Sequence, residues 1–176
     1  MSEQVFDKGL LYGLKMPSSY TSLQEQSVKT LTEGLAKYPK ALRMFQMLQS
    51  DPEVDALLNM ANFIAVRKLG YNDHGPIHAR IVAANGVRLL RILLDSGKVD
   101  IDSIKELGMT EDDAHLIVVT GCMLHDIGNA IHRNQHEISS IVCAKGVLDR
   151  LLPEIYPDVG RRVAATTQIL HTLYSH

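Results

Sequence analysis

Histidine is the abundant chemically useful residue of this 176-residue chain, which carries eight of them. His74, His78, His125, His132, His136 and His171 fall on or beside three stretches that read as helices. The densest run is Leu124-His125-Asp126-Ile127-Gly128-Asn129-Ala130-Ile131-His132-Arg133-Asn134-Gln135-His136-Glu137. Imidazole is the commonest protein metal ligand near neutral pH. A carboxylate among imidazoles suits a divalent ion that keeps positions open for water and substrate. His125 and Asp126 close a very apolar stretch just before Gly128. A carboxylate at the end of a buried helix is costly unless it is paired or bound to metal. Neighbouring residues on a helix diverge by about 100°, so both reach one ion only near a helix end, which is where these two sit. His78 falls in the first turns of a helix, on the side shared by Val82 and Leu89, and is expected to point inward. His132 and His136 are four apart and share a face if that stretch is helical. His171 follows Ile169-Leu170 beside the apolar stripe of the last helix.

These side chains need elements to hold them. Helices are expected near 21–36, 40–49, 53–69, 76–96, 111–126, 134–152 and 158–175, with residues 1–20 as a loose arm. Pro17, Pro39, Pro52, Pro76, Pro153 and Pro157 fall between these stretches, as proline does at helix starts and breaks. Ser50-Asp51-Pro52-Glu53 offers a cap, a proline and an acidic first turn, and Asp73 to Pro76 does the same for the next helix. Thr110 followed by Glu111, Asp112 and Asp113 puts a cap and three acids where the helix dipole favours them. Gly70, Gly97 and Gly108 are placed as terminators. The segment from Leu116 to Leu124 is apolar on all sides, which fits a buried helix or a buried strand. Its Val-Val-Thr core favours strand by propensity. No other segment alternates as a partner strand would, so it reads as the central helix of an all-α domain.

The length implies one domain, residues 21–176, large enough to bury a core without disulfides. Lys and Arg total 18 against 20 Asp and Glu, a net charge of −2 that gives no strong signal for nucleic-acid binding. Cys122 and Cys143 make no disulfide framework and read as small buried residues of a reducing compartment. The N-terminus lacks the basic flank and apolar run of a signal peptide. No stretch approaches the ~18 apolar residues that span a bilayer. The expected location is the cytoplasm.

His78-Ala-Arg-Ile-Val-Ala, followed a helical hairpin later by Leu124-His125-Asp126-Ile127-Gly128, resembles the HD-domain superfamily of metal-dependent phosphohydrolases. The likeness covers roughly residues 60–176. It implies an HD-domain-like helical bundle, here with extra N-terminal helices, in which His78, His125 and Asp126 bind a divalent metal ion. Some HD families hold a second ion. In those, His136 and His171 would be the further ligands, with Asp126 bridging. The ion would be Mn, Mg, Ni, Zn or Fe. The implied activity is hydrolysis of a phosphoester, of a nucleotide or related small phosphorylated compound, by metal-activated water. Arg133 or His132 would steady the phosphate or protonate the leaving group, and homo-oligomers are allowed. Two departures stand out. Asn129 occupies the place where many relatives carry Lys, and Arg133 is the available cation. The family also completes its site with a distal Asp, and after Asp158 this chain has neither Asp nor Glu. The domain is thus expected to end before the family's last ligand helix.

Rival readings attach to each residue. The His125-Asp126 pair and His78 are also what a structural pair and a carbonyl-bonded core histidine look like. His132 and Arg133 read equally as solvated surface, and His74 as a loop or capping residue. His115 and His176 show no identifiable partner in the sequence. The run Glu111–Asp113 is helix-start charge. The likeness also implies two other functions: a di-iron oxygenase on the same fold, or a nucleotide-sensing or interaction module with an impaired site.

Overall fold

The computed structural model describes residues 18–176, with side chains from residue 22 onward. Among these residues it is all-α, as expected. The helices are α1 (Ser18–Gly34), α2 (Pro39–Ser50), α3 (Pro52–Asn62), α4 (Pro76–Ser96), the single turn α5 (Asp102–Lys105), α6 (Glu111–Leu124), α7 (His136–Leu151) and α8 (Val159–Ser175). Of the arm expected over residues 1–20, residues 1–17 lie outside the described residues, and 18–20 already belong to α1.

Local chemistry accounts for most boundaries. Asp51 caps α3, accepting from the Glu53 and Val54 amides at 2.9 and 3.0 Å, and Pro52 opens the helix where a missing amide costs nothing. Thr110 and Asp113 form a reciprocal capping box at α6. At α4 the expected side-chain cap is absent: Gly75 occupies the N-cap, and Asp73 accepts from the Gly75 amide instead. Gly70, Gly97 and Gly108 all sit at positive φ, the left-handed conformation that ends helices at least cost to glycine.

The apolar segment forms α6, whose residues are buried on nearly every side, and it packs against α2, α4 and α8. An all-round apolar helix is stable only when neighbours surround it. Its core residues Leu116, Val119, Met123 and Leu124 meet Phe45 and Leu48 of α2, Ala83 and Val87 of α4, and Ile169 and Leu173 of α8 within one cluster. Close approach is set by small residues. A Cβ on Gly86 of α4 would lie 2.9 Å from Cys122 Sγ, and one on Gly121 would collide with Thr172 of α8. The bundle therefore draws the start of α4, the end of α6 and the end of α8 toward one another.

Two stretches depart from the expected helices. The one predicted over 53–69 is α-helical only to Asn62 and continues as a π-turn, Phe63–Lys68, closed by Leu69 N–H donating to Ile64 O at 3.2 Å. Hydrophobic spacing is blind to that widening. The one predicted over 111–126 ends at Leu124, and a 3₁₀ turn, Ile127–Ala130, leads to α7.

The acids at the start of α6 do more than favour a dipole. Asp112 accepts from the Lys40 and Ala41 amides, both at 3.0 Å, so it satisfies the N-terminus of α2. Asp113 is fully buried and takes the Lys40 ammonium, the Tyr156 hydroxyl at 2.6 Å and the Thr110 amide at 2.8 Å. Burial pushes its pKa up, but those donors outweigh burial and hold it at about 2, below the ordinary 3.8. A carboxyl depressed on folding stabilises above its unfolded pKa, and that stability is lost as pH falls through the folded one. Asp113→Asn is therefore expected to cost about 3 kcal/mol in urea unfolding at pH 7. Its deficit against wild type should shrink between pH 4 and pH 2; a gap that stays constant over that range would refute the assignment.

Candidate metal centre

His125 is the C-cap of α6, and Asp126 follows at the N-cap of the 3₁₀ turn. The turn is held from α7. Ser140, fully buried, donates from Oγ to His125 O at 2.6 Å and accepts from the Gly128 amide at 2.9 Å. A helix end thus lets two adjacent side chains converge, and the buried hydroxyl fixes the bend.

Asp126 is the hub. Its Oδ2 lies 3.0 Å from His125 Nε2 and 3.3 Å from His78 Nε2; its Oδ1 lies 3.3 Å from His136 Nε2. Only 3% of Asp126 is exposed, so the carboxylate has almost no water to stabilise it. Burial alone would raise its pKa. Hydrogen bonds from His125 and His78 outweigh burial and hold the carboxyl far below the usual carboxylate range. His78 is pushed up by its hydrogen bond to Asp126, whereas burial, followed by the nearby Arg133, pushes His136 down.

Two metal-sized groups share this carboxylate: His78, His125 and Asp126, and Asp126, His136 and His176. His136 is the first residue of α7 and His176 is the C-cap of α8. Their Nε2 atoms stand 3.1 Å apart. The remote ring nitrogens are turned to backbone carbonyls: His125 Nδ1 to Cys122 O at 2.8 Å, His136 Nδ1 to Arg133 O at 3.1 Å and His176 Nδ1 to Leu173 O at 2.8 Å. An Nδ1–H donated to a carbonyl leaves Nε2 with a lone pair in the neutral ring and with a proton for Asp126 in the charged one. Three such nitrogens and a carboxylate therefore face inward. Lone pairs at these separations repel one another and the carboxylate unless a cation, proton or metal, lies among them.

The next layer orients the hub. Asn129, fully buried, donates from Nδ2 to Asp126 Oδ1 at 2.8 Å and to Asp126 O at 3.1 Å. Its Oδ1 accepts from Arg133 Nη1 at 3.1 Å, and the same Nη1 lies 3.3 Å from His136 Nε2. Asn129 thus links the guanidinium to the carboxylate. His74, 9% exposed, stacks on His78 with centroids 5.4 Å apart and bonds through Nδ1 to Asn72 O.

Measured against the sequence, His78, His125, Asp126, His136 and Arg133 come together. His171 does not: it is exposed on α8 and belongs to neither group. The buried stripe of α8 runs through Ala165, Ile169 and Leu173. One turn further, that stripe reaches residue 176, while residue 171 faces away. His176 is the candidate ligand that sequence spacing did not single out, and its three-residue spacing from Leu173 is the available signal. His132 is exposed, with Nδ1 accepting from the Asn134 amide at 3.0 Å, and it makes no hydrogen bond or ring contact with the cluster. His78 is aligned differently from expected, since Leu89 is 58% exposed and the buried side of α4 follows Ala79, Ala83, Val87 and Leu90. The distal Asp has no counterpart among the described residues; Asp158 caps α8, accepting from the Arg161 amide at 2.8 Å. His115 is a core residue stacked on Tyr38. Both cysteines are free and partly buried. No helix among the described residues is long and apolar enough to cross a membrane.

No family model matches the chain, and no solved structure matches it. The chain is similar to an uncharacterized protein of Methanocaldococcus jannaschii, 36% identical over 143 residues, which make up 81% of this chain and 54% of that protein. The chain thus spans about half the length of the curated relative it matches.

Proposed function

We propose that this protein is a metal-dependent phosphohydrolase of the HD type, acting on a small phosphoester in the cytoplasm. The observation that carries this reading is the shared carboxylate: Asp126 presents one oxygen to His78 and His125 and the other to His136. Further support comes from Nδ1 atoms tied to carbonyls, which leave Nε2 atoms converging with the carboxylate. Nitrogen-rich sets with one carboxylate fit Mn, Fe, Ni or Zn better than Mg, which favours oxygen. His78, His125 and Asp126 would hold one ion; Asp126, His136 and His176 a second.

Ions bound there supply a water of lowered pKa and a clamp on phosphoryl oxygens. The remaining work falls to side chains. Asn129 keeps Asp126 in the rotamer that serves both groups. Arg133, anchored through Nη1, presents a guanidinium to a phosphate oxygen, a geometry it matches well. His74 stacks on His78 and holds its ring in place.

Elemental analysis of protein purified without added metal, together with phosphate release from phosphomonoesters, tests the proposal. The expected result is one to two transition-metal ions per chain and turnover that stops on chelation. Stoichiometric iron with oxygen uptake and no phosphate release would establish the oxygenase instead. Absence of both metal and turnover would leave a sensing module.

A further inference from the structure

Arg133 engages both nitrogens of His136. Its backbone carbonyl accepts from His136 Nδ1 at 3.1 Å, and its side chain folds back so that Nη1 lies 3.3 Å from His136 Nε2. The chain makes this return through Gln135, the one non-glycine residue at positive φ among the described residues. Such a backbone persists where the surrounding contacts require it. Nη1 also donates to Asn129 Oδ1 at 3.1 Å, and the guanidinium lies 5.4 Å from the centroid of the Tyr71 ring. Asn129 and Tyr71 thus keep the guanidinium beside the metal centre without help from His136.

A guanidinium has five N–H donors and no acceptor. In the hydrogen bond at Nε2 the imidazole is therefore the acceptor, and the lone pair it offers is the one a metal ion would take. One lone pair serves one partner at a time. The same Nη1 lies 3.9 Å from Asp126 Oδ1, so the guanidinium stands against two of the three residues of the Asp126, His136 and His176 group. The other group differs. Among the described residues no hydrogen bond or ion pair joins Arg133 to His78 or His125. The two groups that share a carboxylate are thus not equivalent, because one of them has a protein cation on its ligand atoms.

We propose that Arg133 is a tethered cation that competes with the second metal ion, so that the centre loads in order. The His78, His125 and Asp126 group fills first, and the Asp126, His136 and His176 group fills only when the guanidinium gives up His136. Resting on the phosphohydrolase reading, this adds a regulation of the same site. Arg133 sets the metal concentration at which the second group fills, and the same event frees its guanidinium for a phosphate oxygen.

Calorimetric titration of chelator-treated protein with manganese alone tests it without turnover. Wild type is expected to bind one ion tightly and a second at least about 10-fold more weakly, since the second must break a hydrogen bond from a charged donor. The tight step is the one that His176→Ala keeps. Arg133→Met, which retains the stem and removes the charge, should tighten the second step about 10- to 100-fold and move the first by less than about 3-fold. Equal affinity for both ions in wild type, a second step that Arg133→Met leaves unmoved, equal tightening of both steps, or a single ion bound by both proteins overturns the competition and leaves phosphoester turnover to be judged by its own assay. Uptake of no manganese by wild type removes the metal centre and the phosphohydrolase reading with it. Phenylglyoxal labelling of wild type, read by peptide mass spectrometry, needs no variant: the rate at Arg133 should rise as the second ion binds and not as the first does. A rate that stays flat across both steps also overturns the competition.

Discussion

Asp126→Ala is expected to strip the protein of both ions at once and to lower phosphoester turnover by more than about 10³-fold. A metal centre supplies several kcal/mol of transition-state stabilisation, and each 1.36 kcal/mol is a factor of ten in rate. The double loss is the diagnostic part. Asp126 belongs to both groups, whereas His78 and His125 serve one and His136 and His176 the other. His176→Ala should therefore lose one ion and keep the first. Elemental analysis after gel filtration reads the difference directly. A chelator should lower the melting temperature of wild type, because an ion bound only by the folded state stabilises by mass action. The same chelator should leave Asp126→Ala unmoved. Retention of a full metal complement by Asp126→Ala would remove the bridging role and with it the two-ion site.

The second large effect is expected at a residue with no chemistry of its own. Gly128→Ala should destabilise the fold by about 3 kcal/mol or more and abolish metal binding. A Cβ at Gly128 would collide with His136 O and the Ser140 amide and lie 2.7 Å from Ser139 C. All three are backbone atoms of the first turn of α7, so no rotamer change can relieve the overlap; α7 must move away from the 3₁₀ turn. Overpacking commonly costs 1–3 kcal/mol, and here the displaced helix carries His136 and Ser140. Gly146→Ala is the internal comparison. It lies on the same helix with nothing within 4 Å of the added Cβ, and should stabilise by about 0.5–1 kcal/mol, as removing a mid-helix glycine does. Urea unfolding of the two variants should give shifts of opposite sign. A neutral Gly128→Ala would mean that the turn does not depend on close contact with α7.

The two effects share a cause. The carboxylate can serve two groups because the chain turns sharply within the two residues after α6. That turn is possible because α7 packs onto a residue without a side chain.

Local chemistry along the chain is enough for the helical class and the start of most helices. Asp51, Thr110 and the glycines at 70, 97 and 108 act through bonds and dihedrals within a few residues of themselves, so their effect does not wait on the rest of the fold. Local chemistry also makes His125 and Asp126 converge, because the apolar run and Gly128 locate a helix end. Packing between helices sets the other half of the site. Whether His171 or His176 faces the carboxylate depends on which side of α8 lies against α6 and α7. His171 follows Ile169 and Leu170 in the sequence, but once Ala165, Ile169 and Leu173 pack inward it lies on the far side of α8 and His176 on the near side. Asn129 looked like a missing cation. Only the folded turn brings its amide under Asp126 and its carbonyl to Arg133. The π-turn after Asn62, which begins the approach of Tyr71 to Arg133, has no mark in hydrophobic spacing. It is held by backbone bonds of its own, Leu69 N–H to Ile64 O and Tyr71 N–H to Ala65 O.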